Sequence, residues 1–290
     1  MTRFLRVLAA PIFALLALAA APARAQPPVW VVHGPHATIV VFGSVHLLPG
    51  SLDWEPSALK EALVHADELW FEIPIDNSSA LSAQQAAIRL GVLPNGQTLS
   101  AELSPEDRVR LAEAAKTCNL PLPLLDRLRP WYADLALSVS SFKQANANSD
   151  DGVEQKLAAA APNLPKRAFE TIEEQINFLA GGTEKDQIDS LRETFDEVKE
   201  GPVFYRKLLS AWMSGDTRAI EREALEPMKR KAPGDYKTLL VDRNKRWVPV
   251  IEKRLAGQGE AVMVVGAGHL IGPDSVIARL RADGYRVDGP

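Results

Sequence analysis

Two of the five histidines in this 290-residue chain stand in the same local setting. Val40-Val41-Phe42-Gly43-Ser44-Val45-His46 and Met263-Val264-Val265-Gly266-Ala267-Gly268-His269 each run as an apolar stretch, a glycine, two residues and a histidine. Leucine follows both histidines. A glycine at a strand's end lets the chain turn sharply without a Cβ clash. The histidine is then delivered just past the carboxyl end of the strand, the edge of an open α/β sheet where ligands bind. Two imidazoles and a carboxylate can hold a divalent ion with one position left for water. Such an ion lowers the pKa of its water towards ~7, which gives a nucleophile near neutral pH. Glu72, which ends the apolar run Leu69-Trp70-Phe71, is the expected third ligand beside His46 and His269. Glu170 is the candidate general base, and Arg243 the candidate for stabilising oxyanion charge. Without a metal, His46 can itself serve as the base.

Other residues offer less. His33 and His36 flank a turn and read as solvated, and His65 lies within a helical stretch with no companion ligand. Cys118 is the only cysteine, so there is no internal disulfide; it reads as a buried small apolar residue. The sequence has no phosphate-binding glycine loop, no Cys-x-x-Cys pair and no Gly-x-Ser-x-Gly elbow. Nucleotide, zinc-ribbon and serine-hydrolase readings lose their usual signatures.

The elements that must position the histidines follow from periodicity. Trp30–His33 and Thr38–Phe42 are β-branched runs joined by Gly34-Pro35-His36, a hairpin pattern. The pattern predicts a helix over Trp54–Glu68, a short buried strand Leu69–Ile73, and helices from about Ser78 to Asn148. Ser104-Pro105-Glu106-Asp107 is a clear helix start. A strand over Arg167–Thr171 comes next, with a helix through Phe178. Amphipathic helices then run from Glu184 to about Arg254, broken near Gly201-Pro202. Ala261–Val265 is the most strand-like run, before a helix over Asp274–Ala282 and a last strand near Tyr285–Val287. Strands separated by helices imply an α/β fold, a mainly parallel sheet flanked by helices. The helical middle of the chain reads as an insertion on that sheet. No long linker divides the chain, so residues 26–290 are expected to form one domain.

These motifs resemble the TraB/GumN family. Gly43-Ser44-Val45-His46-Leu47-Leu48-Pro49 is similar to the family's first Gly-x-x-His element, and Val265-Gly266-Ala267-Gly268-His269-Leu270-Ile271-Gly272 to its second. Trp70-Phe71-Glu72, Phe169-Glu170-Thr171 with Gln175, and Asp242-Arg243-Asn244 with Trp247 resemble its intervening segments, in family order. This chain has Gly152-Val153-Glu154 where the family often carries Gly-x-Asp, and Phe169 where it often has leucine. The resemblance implies kinship with the Tiki metalloproteases, which act with manganese or cobalt, and with the erythromycin esterases and haem-binding ChaN proteins. Function varies on that scaffold, and fold alone does not settle it. The expected activity is hydrolysis of a peptide or other acyl bond in a peptide or small-molecule substrate. The alternatives are a metal-free esterase-like hydrolase and a non-catalytic periplasmic protein that holds haem or a metal.

The amino terminus reads as an address. Arg3 and Arg6 precede an apolar run from Val7 to about Ala21, and Ala23-Arg24-Ala25 offers small residues before Gln26. This is the pattern of a secretory signal peptide over residues 1–25. The run is short against the ~20 residues of a spanning helix, so no lasting membrane insertion is expected, and the destination is the periplasm or beyond. Cleavage would remove Arg3, Arg6 and Arg24 and take the formal charge from −4 to −7. A mildly acidic protein has no electrostatic reason to hold nucleic acid.

Overall fold

The computed structural model describes residues 25–290; the leader expected over residues 1–25 therefore lies, apart from Ala25, outside the described residues. Among the described residues no helix is long and apolar enough to cross a membrane.

Six strands form one sheet, β1 (Val29–His33), β2 (Ala37–Ser44), β3 (Glu68–Phe71), β4 (Lys166–Ala168), β5 (Gly259–Gly266) and β6 (Arg286–Asp288), in the order β4-β3-β5-β2-β1-β6. β1 and β2 make the expected hairpin, with Val29 opposite Phe42 and His33 opposite Thr38. The pairings β2–β5, β3–β5 and β3–β4 are parallel, and β6 closes the other edge antiparallel to β1. The α/β expectation holds. β5 is central, and Ala261–Val265 are all buried, which is why this strand reads as an unbroken apolar run rather than an alternating one.

Helices cover the sheet. Trp247, Ile251 and Leu255 of the helix Asp242–Leu255 and Val276, Ile277 and Leu280 of Val276–Ala282 join the main core with Trp30, Phe42 and Trp212. The helical middle has an apolar cluster of its own. Leu111, Leu137, Leu191 and Phe195 meet there from the helices Pro105–Thr117, Pro130–Lys143 and Glu184–Glu200. Ser104 caps the first of these, its hydroxyl accepting from the Asp107 N–H at 3.1 Å.

Several boundaries differ from the sequence pattern for identifiable reasons. The first helix spans only Ser57–His65, because Pro56 sets its start and Ala66 is already extended. β4 ends at Ala168, yet Phe169 and Glu170 still donate backbone N–H bonds to the carbonyls of Phe71 and Glu72. Strand-like pairing thus carries Glu170 alongside Glu72. The stretch from Glu184 to Arg254 is cut more often than the single expected break, and includes π-helical turns at Glu221–Leu225 and Tyr236–Val241. Such turns often sit next to functional sites; the second leads directly into the helix that carries Arg243.

Candidate active site

Because β2 and β5 are parallel neighbours with Ser44 opposite Gly266, the two Gly-x-x-His segments leave the same edge of the sheet side by side. Glu72 lies one residue past β3, the other neighbour of β5. All five residues singled out from the sequence, His46, Glu72, Glu170, Arg243 and His269, are brought together here.

Gly266 is the point of closest approach. A Cβ at this position would stand 3.1 Å from Glu72 Oε1, 3.6 Å from His46 Nε2 and 3.7 Å from His269 Cδ2. Its backbone has φ −50°, which any residue adopts. The glycine therefore provides room for three converging side chains, not the tight turn that strand-end glycines suggest. Gly152 has a similar role behind the site, since a Cβ there would lie 2.1 Å from the His46 carbonyl oxygen.

Both imidazoles are held by their Nδ1 atoms. His46 Nδ1 donates to Glu154 Oε1 at 2.8 Å, and Ser44 Oγ donates to the same oxygen at 2.5 Å. The buried Glu154 carboxylate pushes His46 up to about 9, against the opposing effect of burial. The His46 side chain is 59 % exposed, so water screens this pair and its worth to stability is small. His269 is 4 % exposed. Its Nδ1 meets Asn244 Oδ1 at 2.7 Å, while Asn244 Nδ2 donates to the Asp274 carbonyl at 3.0 Å. That second bond orients the amide, so Nδ1 carries the proton and Nε2 presents a lone pair. Burial pushes His269 down to about 3, with Arg243 acting in the same sense and Glu72 against it. The ring is neutral near pH 7.

Arg243 organises the buried half. Its Nε and Nη2 grip Glu170 at 2.8–3.1 Å, Nη2 reaches Glu72 Oε2 at 2.6 Å, and Nη1 lies 3.1 Å from His269 Nε2. Nη1 also donates to the Leu239 carbonyl, within the π-helical turn, at 3.3 Å. Trp247 Nε1 completes Glu170 at 2.9 Å, and the Trp247 ring lies under the guanidinium at 4.9 Å. With both oxygens engaged, Glu170 serves to hold Arg243, which differs from the base role that its residue type suggests. Glu72 accepts from the Gly266 N–H at 2.7 Å and from Gln175 Nε2 at 3.2 Å. Burial alone would raise the Glu72 carboxyl; His269 in acid, where that ring takes a proton, together with Arg243, His46 and the Gly266 bond holds it well below the usual carboxylate range.

His46 separates two cavities. One, of about 240 Å³, is polar where His46, Glu72, Glu154 and Gln175 face it. The other, of about 270 Å³, lies across Gly266 and is walled by apolar side chains.

The donor set for a divalent ion fits in kind. Glu154 and Asn244 fix the Nδ1 protons, which is how metal-ligating histidines are commonly oriented. His269 Nε2 and Glu72 Oε1 are 3.8 Å apart, so a nitrogen and a carboxylate oxygen of the kinds that ligate divalent ions lie side by side. The set is not drawn together as tightly as expected, however: among the described residues no three His, Cys, Asp or Glu side chains are gathered as a ready ion site. Arg243 supplies the positive charge in this arrangement.

Glu154, Ser44 and Asn244 are the residues that sequence reasoning undervalued. The one signal for Glu154 was its place in the segment similar to the family's Gly-x-Asp element.

A parallel-centred sheet with helices on it, two Gly-x-x-His segments at one edge and a buried Glu–Arg–Glu cluster behind them define the class. The model of the TraB/PrgY/gumN family matches residues 28–289, and the chain belongs to that family. It is 22 % identical over 264 residues to an uncharacterized protein of Treponema pallidum (strain Nichols), covering 87 % of this chain and 79 % of that one. It is 25 % identical over 300 residues to Metalloprotease TIKI1 of Danio rerio, covering 86 % of this chain and 60 % of that protein's length. No solved structure matches the chain.

Proposed function

We propose that this protein is an exported hydrolase of peptide or other acyl bonds, working at the edge of the sheet between its two cavities. One observation carries the reading: both imidazoles have Nδ1 tied to a protein acceptor, which leaves His46 Nε2 open at the Gly266 notch and His269 Nε2 between Glu72 and Arg243. On this reading His46, Glu72 and His269 would hold a divalent ion, manganese or cobalt by the family resemblance. Such an ion polarises a carbonyl and lowers the pKa of water. The chain's own residues do the rest. Arg243 keeps Glu72 ionised and oriented, Glu170 and Trp247 keep Arg243 in place, and Glu154 fixes the direction of His46. The guanidinium also sets a positive field where oxyanion charge would develop. The similarity to a metalloprotease supports the class.

A second reading rests on Arg243 Nη1, only 3.1 Å from His269 Nε2. If Arg243 is itself the working cation, the hydrolase is metal-free and His46 Nε2 takes the proton from water once the ring has lost its own, so turnover rises towards pH 9. Metal analysis of purified protein, with cleavage of a peptide and ester panel before and after chelation, separates the two. Metal-dependent cleavage that His269→Ala abolishes together with ion binding supports the first reading. Cleavage that survives chelation and is lost in His46→Ala supports the second. If neither ion binding nor turnover is found, the hydrolase proposal fails.

A further inference from the structure

The apolar cavity beside His46 has no task in the chemistry above, and its construction is specific. Leu208 and Leu209 of the helix Pro202–Ser214 line it, with Ile220 and Ala224 around the π-helical turn and Phe142 packed on the Tyr205 ring. Tyr205 and Trp212 also line it, yet neither offers it a hydrogen bond. Tyr205 donates its hydroxyl to the Leu47 carbonyl at 2.8 Å, and Trp212 donates Nε1 to the Gly43 carbonyl at 2.7 Å. Their polar atoms are spent on the backbone of the very segment that delivers His46, and their carbon faces remain for the cavity.

We infer that this cavity is the specificity pocket for an apolar group on the substrate, either aromatic or a branched or linear aliphatic, attached next to the bond that is cut. This rests on the hydrolase reading and adds to it the chemical class of substrate. Continuity with the site carries the assignment: His46, Ser44 and Gly266 line the cavity, so a group seated there has its point of attachment beside His46 and the Gly266 notch. Size agrees, since 270 Å³ exceeds the ~150 Å³ that accepts a benzene ring in a dry apolar cavity. Polarity agrees as well. A charged or amide group would lose its water here without finding a partner. The cavity on the other side of His46, where Glu72, Glu154 and Gln175 add polar groups to the lining, suits the peptide-like remainder of the substrate.

The test uses the whole mature protein and the amides Ac-Ala-X-Ala-NH2 with X = Gly, Asp, Leu or Phe, plus octanoyl-alaninamide. Binding is measured by calorimetry and cleavage by mass spectrometry. Each methylene in an apolar pocket discriminates by roughly 10-fold or more, so Leu or Phe should exceed Gly by at least that factor in Kd or kcat/KM, with Asp the poorest. Ala224→Phe should shrink the ratio of Leu to Gly by about 10-fold, as expected for loss of a bulky side chain's seat. Phe142→Ala, which widens the cavity, should shift preference towards Phe or octanoyl. Octanoyl-alaninamide above Leu would identify an acyl chain as the occupant, and the reverse a peptide side chain. A preference in binding with no cleavage of any compound would uphold the pocket and sink the hydrolase. Cleavage without preference for apolar X, or a preference unchanged in a folded Ala224→Phe protein, would overturn the pocket alone.

Discussion

Replacing Arg243 by methionine isolates the electrostatics of the buried cluster. The guanidinium makes four hydrogen bonds to Glu72 and Glu170, whose side chains are 6 % and 1 % exposed. Methionine fills similar space and leaves two carboxylates with no cation. Breaking a buried pair from one side costs ~3–5 kcal/mol, chiefly through the charge left behind. At ~2–4 °C per kcal/mol for a chain of this size, the melting temperature should fall by roughly 10 °C at pH 7.5. The sign of the pH effect is set by the same cause. Without the guanidinium, burial pushes the Glu72 carboxyl up, so the folded variant binds protons more readily than the wild-type fold as pH falls. The deficit relative to wild type should therefore shrink between pH 7.5 and 5. Adding Glu72→Gln and Glu170→Gln should recover more than half of it at pH 7.5. Urea unfolding followed by tryptophan fluorescence at both pH values measures this, since Trp247 lies against Arg243. A loss under about 1 kcal/mol, or one of equal size at both pH values, would refute the view that Arg243 neutralises a buried carboxylate pair.

Three further outcomes are expected. Glu154→Gln removes the charge that raises His46 to about 9, so in metal-free protein the NMR titration of that ring should move down towards its ordinary value, and activity should drop ~10–100-fold, the usual effect of removing a histidine's orienting partner; an unmoved titration would contradict the assignment. Gly266→Ala places a methyl 3.1 Å from Glu72 Oε1 and 3.6 Å from His46 Nε2; turnover and ion binding should fall at least ~10-fold while the melting temperature changes little, and normal activity would show that the convergence there is not used. Glu197 is half-buried near Asp134 and Glu193, and burial with these neighbours pushes it up to about 8. With a folded value above the unfolded one, its cost to stability sets in as pH rises from about 4.5 and is complete above about 8. Glu197→Gln should thus stabilise by ~1–2 kcal/mol at pH 8.5, allowing for solvent screening, and by almost nothing at pH 4.5; chemical denaturation at the two pH values decides it.

The parts of this structure legible in sequence are those where local pattern and burial agree. Ala261–Val265 is an apolar run because β5 is covered on both faces, and the duplicated Gly-x-x-His pattern marked His46 and His269 because β2 and β5 share an edge. Glu72 and Glu170 were legible as strand-end carboxylates. Their division of labour was not, because it depends on which one Arg243 grips along its whole fork and which it touches once. Glu154 carries no local pattern: it opens a helix 108 residues from His46, and the Leu48–Asn148 bridge, the Val153 N–H on the Val45 carbonyl and the packing of Gly152 against the His46 carbonyl bring the two together. The glycines were located correctly for a different reason, since residue type reveals the missing Cβ and not which neighbour needs the space.

The position of β5 has a consequence for the timing of activity. This strand enters the sheet between β2 and β3, yet it is made well after both, with the whole helical middle of the chain in between. Until residues 259–269 arrive, neither neighbouring edge has its inner partner, Glu72 lacks the Gly266 N–H, and the second imidazole is absent. A nascent or C-terminally clipped chain therefore has half a site and no cleft. On the hydrolase reading, the topology leaves the site unassembled until β5 has been made, and a single cut ahead of Gly259 would switch it off.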